Sequence, residues 1–481
     1  MTHPAFQELD SWTRRWIDYE QTLNDRLFNE RWYYPIDDRS NDVRPEYRPE
    51  RRSAWRQPVV WLPPDGARCY GPVCDAVKNL AGEDLRAGFF PLLVHPQAPA
   101  GQRRVAAKYG CESLSDVWVT PTASYRSLVA WRRGAPAIGL KLSLGARVGN
   151  RRRSIREDQV ARAVLMTSVF ETIPPAHRRE LGLDWFSDRS GLVAVESRQG
   201  YIVREFPQDV AASSPPIPAF SLVAARGEHP CLLTHLIRRA GVPPEQFVID
   251  RLVRPFAMAA SYLLFVQGIQ AETHIQNVLL ELDADGDLTG RLVLRDFQDT
   301  TVSPPMRVAR RKELPLPADR IPVRGAPLRL ASAATDYFCN FGRPVLQRGG
   351  DMVERYGLWG YVWVVNATLE RDFEGYDTST VELAYLELWQ EQARRFLGVT
   401  PDFCRDGRGI ATDEAITEYL RLQDWPGHGA TGGHTLPDGV EPFLYEPRAR
   451  RLAGPVYDRV ESAWGDIFLF GGLPTFFRPA F

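Results

Sequence analysis

The run Ala137-Ile138-Gly139-Leu140-Lys141-Leu142-Ser143-Leu144-Gly145-Ala146-Arg147-Val148 alternates apolar with polar or small residues throughout. A period of two belongs to a strand, whose successive side chains point to opposite faces. The run therefore predicts one strand with Ile138, Leu140, Leu142 and Leu144 on an apolar face. Lys141, Ser143 and Arg147 project from the other, where same-face neighbours stand about 7 Å apart. Taken alone, such a polar face reads as the solvent side of an antiparallel sheet. The residues that follow argue for more. Gly149-Asn150-Arg151-Arg152-Arg153 leads into Ser154-Ile155-Arg156-Glu157, a capping-box pattern that predicts a helix to about Phe170. A helix start presents free amides and the positive end of the dipole, both of which favour anions. A basic loop ahead of that start, beside a strand carrying Lys141, makes a predicted polyphosphate site.

A second polar constellation lies further on. Glu272-Thr273-His274-Ile275-Gln276-Asn277 precedes the apolar Val278, Leu279, Leu280 and Leu282. Asp283-Ala284-Asp285-Gly286-Asp287 reads as a turn, and Arg291-Leu292-Val293-Leu294 returns to Arg295-Asp296-Phe297. This pattern predicts a β-hairpin. Pairing Leu282 near Arg291 brings Asp296 opposite Asn277 and close to His274. Glu272 and Asp296 then form a predicted Mg²⁺ pair, since that hard cation takes carboxylate and phosphate oxygens. His274 and Asn277 are placed to hydrogen-bond a nucleotide. The turn is not an EF-hand, because Gly286 is fourth from Asp283 rather than sixth and no glutamate closes the loop.

Outward from these two segments the chain is ordinary in composition. It has 481 residues, 44% hydrophobic and 25% charged, with a formal net charge of −1. These values fit a folded protein of two or three subdomains and give no whole-molecule field for nucleic acid or anionic membrane. Only four of the 59 basic residues are lysine: Lys78, Lys108, Lys141 and Lys312. The six cysteines include no C-x-x-C, and Cys69 and Cys74 have no second pair with which to complete a zinc site. The N-terminus lacks the apolar core of a signal peptide, and no apolar run is long enough for a membrane span, so a cytoplasmic location is expected. Ser213-Ser214-Pro215-Pro216-Ile217-Pro218 and the proline-rich stretch from Glu313 to Pro327 read as linkers or subdomain edges. Ile249 to Val266 reads as a buried helix capped by Gly268, and Ser379-Thr380-Val381-Glu382 as the capped start of a helix ending at Gly398. Strands and helices without regular alternation predict an α+β architecture.

Together, Thr122-Ala123-Ser124-Tyr125-Arg126-Ser127, Lys141-Leu142-Ser143-Leu144, Arg147 to Arg153, Glu272 to Asn277 and Arg295-Asp296-Phe297 resemble the IucA/IucC family. These are the siderophore synthetases that work without a non-ribosomal peptide assembly line (NIS synthetases). His95-Pro96-Gln97 upstream also fits, and the resemblance runs from about residue 90 to 300. It implies a thumb, fingers and palm architecture with mixed and antiparallel sheets: a thumb-like region over 1–120, fingers-like ATP-phosphate subdomain over 121–240, and palm-like subdomain over 241–481. It also implies ATP and Mg²⁺ as cofactors, adenylation of a carboxylic acid, and condensation with an amine or hydroxyl. On its residue pattern Ser124, Arg126, Ser127, Lys141, Arg153, His274 and Asn277 would bind ATP. Lys141, Arg153 and His274 would be catalytic, while Glu272 and Asp296 would bind the metal. Ser127 replaces a usual threonine and Gly149 another. The family's upstream motif of paired His-Pro units is absent, which predicts a reduced thumb and leaves the acid open. The expected partners are a small carboxylate and an amine or hydroxyl substrate, with a homodimer by analogy to the family.

Two other readings compete. Glu272 and Asn277 are five residues apart and Asp296 precedes Phe297, which mimics the spacing of kinase-like phosphotransferases. Against this, the acid is Glu, and no glycine-rich phosphate loop precedes a Val-Ala-Ile-Lys-like strand. The other reading is a degenerate partner subunit, motivated by the reduced thumb. His428 and His434 in a glycine-rich loop, and the basic run Arg307 to Lys312, read as ordinary surface features.

Overall fold

The computed structural model describes residues 3–22, 42–71, 75–148, 151–206, 214–224, 229–271, 273, 276–302 and 358–397, and four short strands between 448 and 476. Glu272, His274, Cys74, the proline-rich stretch 313–327, the basic run 307–312 and the histidine loop 427–434 lie outside the described residues.

Helix α1 (Ser11–Thr22) starts where the Asp10 carboxylate accepts the Thr13 N–H and hydroxyl, both at 2.7 Å. The chain then builds β1 (Trp55–Leu62), β2 (Ala67–Tyr70), α2 (Asp75–Ala81), β3 (Phe90–Leu93), α3 (Ala100–Tyr109), β4 (Glu112–Pro121), β5 (Ser127–Trp131) and β6 (Ile138–Leu142). Next come β7 (Leu144–Val148), β8 (Arg151–Arg153), α4 (Glu157–Glu171), α5 (Pro175–Leu181), β9 (Leu183–Trp185), β10 (Ser187–Ala194) and β11 (Gln199–Glu205). Eight of these strands form one antiparallel sheet in the order β2-β10-β11-β6-β5-β4-β1-β3, which takes strands from both sides of residue 120. Both faces of the sheet are covered. Leu128, Leu140, Leu142, Leu192 and Val203 pack with Val77 and Leu80 of α2 and Val105 of α3. On the other face Val160 and Ala163 of α4 meet Val193 and Ile202. The first turns of the chain (Phe6, Leu9, Trp16 and Ile17) reach Val129 and Trp131 on β5.

The expected single strand from Ile138 to Val148 is in fact two. β6 lies in the centre of the large sheet and is buried at every position, while β7 pairs with β8 in a separate ribbon. Ser143 makes the break. Its hydroxyl accepts the Ile155 N–H at 2.8 Å and reaches the Gly200 carbonyl at 2.9 Å. Gly145 then donates to the Gln97 carbonyl at 2.7 Å, and any side chain there would come within 2.7 Å of the Ala98 oxygen. The chain is thus led under the 97–99 segment. Arg151–Arg153 is strand rather than loop, and α4 begins at Glu157 instead of Ser154. The Arg156 N–H donates to Gln159 Oε1 at 3.1 Å and closes that start.

The chain continues through β12 (Ile217–Pro218), β13 (Ile269–Gln270), β14 (Val278–Leu282) and β15 (Leu288–Leu294), of which β13 pairs apart with Thr301–Val302. The second layer is a four-stranded mixed sheet, ordered β12-β14-β15-β9, with β9 parallel to β15. Its core is the predicted hairpin of β14 and β15. β12 pairs with β14, so the end of the expected 213–218 linker is a buried strand of this sheet. The apolar helix runs from Pro244 through Val266, one turn longer at its start than predicted, and Gly268 follows at φ 60°. Thr378–Leu397 packs on it. The cap of that last helix is Asp377, which accepts from Ser379 and Thr380, and not Ser379 itself. Among the described residues no helix is long and apolar enough to cross a membrane.

Candidate functional site

Lys141 is the penultimate residue of β6, between β5 and β11, and is only 1% exposed. A strand face that the sequence alone would send to solvent is instead roofed by the second layer. An ammonium so buried must be paired. The Lys141 Nζ donates to Asp296 Oδ1 across the gap between the large sheet and the hairpin. Asp296 stands two residues past the end of β15 and holds a left-handed conformation, φ 75° and ψ 74°, which few residues other than glycine adopt.

Two further buried side chains hold this carboxylate in place. Arg204 on β11 brings Nη2 to 3.7 Å from Asp296 Oδ1. Asp188 on β10 grips Arg204 in a two-pronged pair at 2.7 and 3.1 Å, and its Oδ2 also accepts the Phe297 N–H at 3.0 Å. Asp188 thus fastens both the arginine beside Asp296 and the backbone just after it. Phe297 stacks on Phe170 of α4 with ring centres 4.3 Å apart. The room for Arg204 comes from its cross-strand neighbour Gly139, where a Cβ would lie 2.9 Å from the Arg204 Cβ.

These neighbours set the charge states. Burial pulls the Lys141 ammonium down, Arg126 and Arg204 add to that, and Asp296 opposes it, leaving a value of about 8. For Asp296, burial favours the neutral acid, but Lys141, Arg204 and Arg126 outweigh it and hold the carboxyl well below the usual range.

The 122–127 turn forms an adjoining wall. The Thr122 N–H donates to the Ser127 carbonyl at 2.7 Å, Tyr125 takes φ 61°, and the Ser127 N–H donates to Ser124 Oγ at 3.1 Å. Ser127 lies opposite Lys141 in the sheet register. The Arg126 carbonyl accepts the Leu142 N–H at 2.8 Å, and its guanidinium donates to the Arg153 carbonyl at 3.0 Å. Ser124, Arg126, Ser127 and Lys141 therefore lie together, with Arg153 joined to them through its backbone carbonyl. Thr122 is buried there, and its hydroxyl oxygen has no protein partner. Arg147 is not part of this group: it is exposed and pairs with Asp42 at 3.0 Å.

The hairpin register departs from expectation by one residue at the site. Val278 pairs with Leu294, and a bulge between Leu280 and Leu282 sets Leu282 against Leu288. Arg295 therefore lies opposite Asn277, donating its N–H to the Asn277 carbonyl at 3.0 Å, and Asp296 is one step beyond. A one-residue shift exchanges the faces of a strand. Asn277 itself is buried beside this pairing. Among the described residues no three His, Cys, Asp or Glu side chains gather as a metal site. Asp296 offers one ionised carboxylate, and Glu272 and His274 lie outside the described residues.

Sequence reasoning missed Asp188, Arg204 and Glu20. Two of them had a signal, a charge on an otherwise buried stretch or stripe, whereas Asp188 stands between half-buried Ser187 and exposed Arg189 and had none. Arg204 follows Tyr201-Ile202-Val203, and Glu20 shares the buried stripe of α1 with Trp16 and Ile17. A charge in such a place requires a partner. Upstream, His95-Pro96-Gln97 is a structural brace. Gln97 accepts from the Arg44 N–H at 2.8 Å and donates to the Asp42 carbonyl at 3.1 Å.

Three solved structures share this fold. Aerobactin synthetase IucC from a hypervirulent pathotype of Klebsiella pneumoniae is 18% identical, with a TM-score of 0.51 over 73% of this chain and 64% of that one. ATP-bound aerobactin synthetase IucA from the same pathotype is 15% identical, with a TM-score of 0.57 over 82% and 73%. The petrobactin biosynthesis protein AsbB from Bacillus anthracis str. Sterne is 14% identical, with a TM-score of 0.61 over 79% and 68%. The chain thus spans just under two thirds of the length of IucC. No family model and no curated protein matches the chain. The α+β fold is that of the NIS synthetases.

Proposed function

From a fold shared with siderophore synthetases, we propose that the chain is an ATP-dependent ligase. It adenylates a carboxylic acid, releases pyrophosphate, and condenses the acyl group with an amine or hydroxyl to give an amide or ester and AMP. The single observation that carries this reading is the convergence of Lys141, Arg126, Arg204 and Asp296 from separate segments on one buried point. It occurs in a fold whose IucA representative is ATP-bound.

The residues suit a nucleotide triphosphate. Ser124, Arg126, Ser127, Lys141 and Arg153 supply hydroxyls and fixed cations for its phosphates, and the unpartnered Thr122 hydroxyl adds a donor in the same turn as Ser124 and Arg126. Asn277, with His274, contributes to binding the nucleotide. Asp296, kept ionised by its cationic neighbours, is a fitting ligand for Mg²⁺ together with Glu272. The metal when bound would neutralise phosphate charge. Adenylation builds negative charge on the α-phosphate and on the departing pyrophosphate. Lys141 and the arginines place fixed positive charge beside that position, with the sheet holding Lys141 and Asp188 holding Arg204. The acid and its acceptor are small molecules, and siderophore or related natural-product assembly is the setting that this chemistry fits.

The test is the product of ATP turnover in the presence of a panel of carboxylic acids and amines. AMP and pyrophosphate are expected. ADP and phosphate would replace the ligase by a phosphotransferase, and ATP binding without any turnover would favour a partner subunit.

A further inference from the structure

The N-terminal helix ends inside the site, and its last turn touches both halves. Glu20 is 0% exposed and forms a buried ion pair with Arg295, the residue before Asp296. Arg295 also donates from Nε to the Gln276 carbonyl at 2.8 Å, so it ties the two strand ends at the hairpin mouth. The second oxygen of Glu20 accepts the Ala123 N–H at 3.2 Å, inside the turn that carries Ser124, Arg126 and Ser127. Beside it, Gln21 Nε2 donates to Thr120 Oγ1 and to the Pro121 carbonyl, both at 2.8 Å, at the end of β4.

We infer that Glu20 and Gln21 are positioning residues for nucleotide binding: they lock the 122–127 turn to the hairpin mouth so that the two walls meet a triphosphate in a fixed geometry. The turn needs such a lock. It carries a non-glycine residue at positive φ, Tyr125, and such a conformation persists only where the surroundings enforce it. A buried carboxylate shared between a backbone N–H and an arginine is a rigid link, because the ionised acceptor makes both hydrogen bonds charge-assisted. The helix that the sequence places far from the phosphate residues is thus part of their support.

This inference rests on the nucleotide reading above, and the experiment separates the two. ATP affinity is measured by calorimetry at 10 °C on the full chain and on Gln21→Ala and Glu20→Gln, with amide hydrogen exchange followed over 120–127. Gln21→Ala removes two hydrogen bonds without unpairing a buried charge, so it keeps the fold even if Glu20→Gln does not. The expected result is ATP binding by the unaltered chain, a weakening of threefold or more in Gln21→Ala and tenfold or more in Glu20→Gln, and faster exchange across the turn. Neither change would follow from a role in global stability alone, since folded protein is compared with folded protein. Unchanged affinity in a folded Gln21→Ala overturns the inference while leaving the nucleotide site standing. Failure of the unaltered chain to bind ATP overturns both.

Discussion

His95 shows how much one side chain reports about its surroundings. It is buried against Tyr47 and Trp55, its Nδ1 accepts the Gln97 N–H at 3.0 Å, and burial pulls its pKa down to about 3. The folded protein therefore holds a neutral imidazole, whereas the unfolded chain takes up a proton near pH 6.5. Stability from this residue is complete above pH 6.5 and is lost as the pH falls toward 3, because the unfolded state then binds more protons. The loss should amount to about 3 kcal/mol by pH 4. Urea unfolding across that range should show the slope, and His95→Asn, which keeps an acceptor for the Gln97 N–H, should flatten it. An equal slope in the variant would assign it to other groups. Lys141 teaches the complementary lesson. Its place on a polar strand face was legible in the sequence. Its burial was not, because burial depends on a hairpin more than 130 residues away.

Between neighbouring elements, glycine decides what can stand beside the site. Gly139 faces Arg204 across the β6–β11 ladder, and the missing side chain is what lets the guanidinium reach both Asp188 and Asp296. Gly139→Ala should force that arginine aside and destabilise the protein by about 1–3 kcal/mol, as overpacked sites do. Chemical denaturation measures it, and wild-type stability in the variant would show that Arg204 has other room. At this scale the sequence was a good guide to which elements exist and a poor guide to where they change partners. The alternation from Ile138 to Val148 is equally consistent with one strand or two, since the period is the same in either sheet. The break depends on Ser143 bonding to Ile155 and Gly200, and on the Gln97 carbonyl taking up Gly145. The hairpin was readable from its apolar runs and its Asp/Gly turn. Its register slipped because a bulge at Leu280–Leu282 leaves no mark in the pattern.

Across the whole molecule, the site is assembled from α1, the 122–127 turn, the centre of the large sheet, two further strands and the hairpin end. No local window contains it. The grouping around Lys141 was partly legible in the sequence, because 122–127 and 138–142 are adjacent strand-and-turn segments. The supporting charges Glu20, Asp188 and Arg204 could not be paired from sequence, since they lie on separate elements whose facing is set only when the layers close. Under the proposed function, Lys141 and its neighbours serve adenylation of a carboxylic acid. Carboxylate-dependent exchange of labelled pyrophosphate into ATP tests it most directly, run on the unaltered chain and on Lys141→Ala across a panel of acids. Exchange is expected with at least one acid, with a loss of at least a hundredfold in the variant. No exchange with any acid, or full exchange in Lys141→Ala, would contradict it.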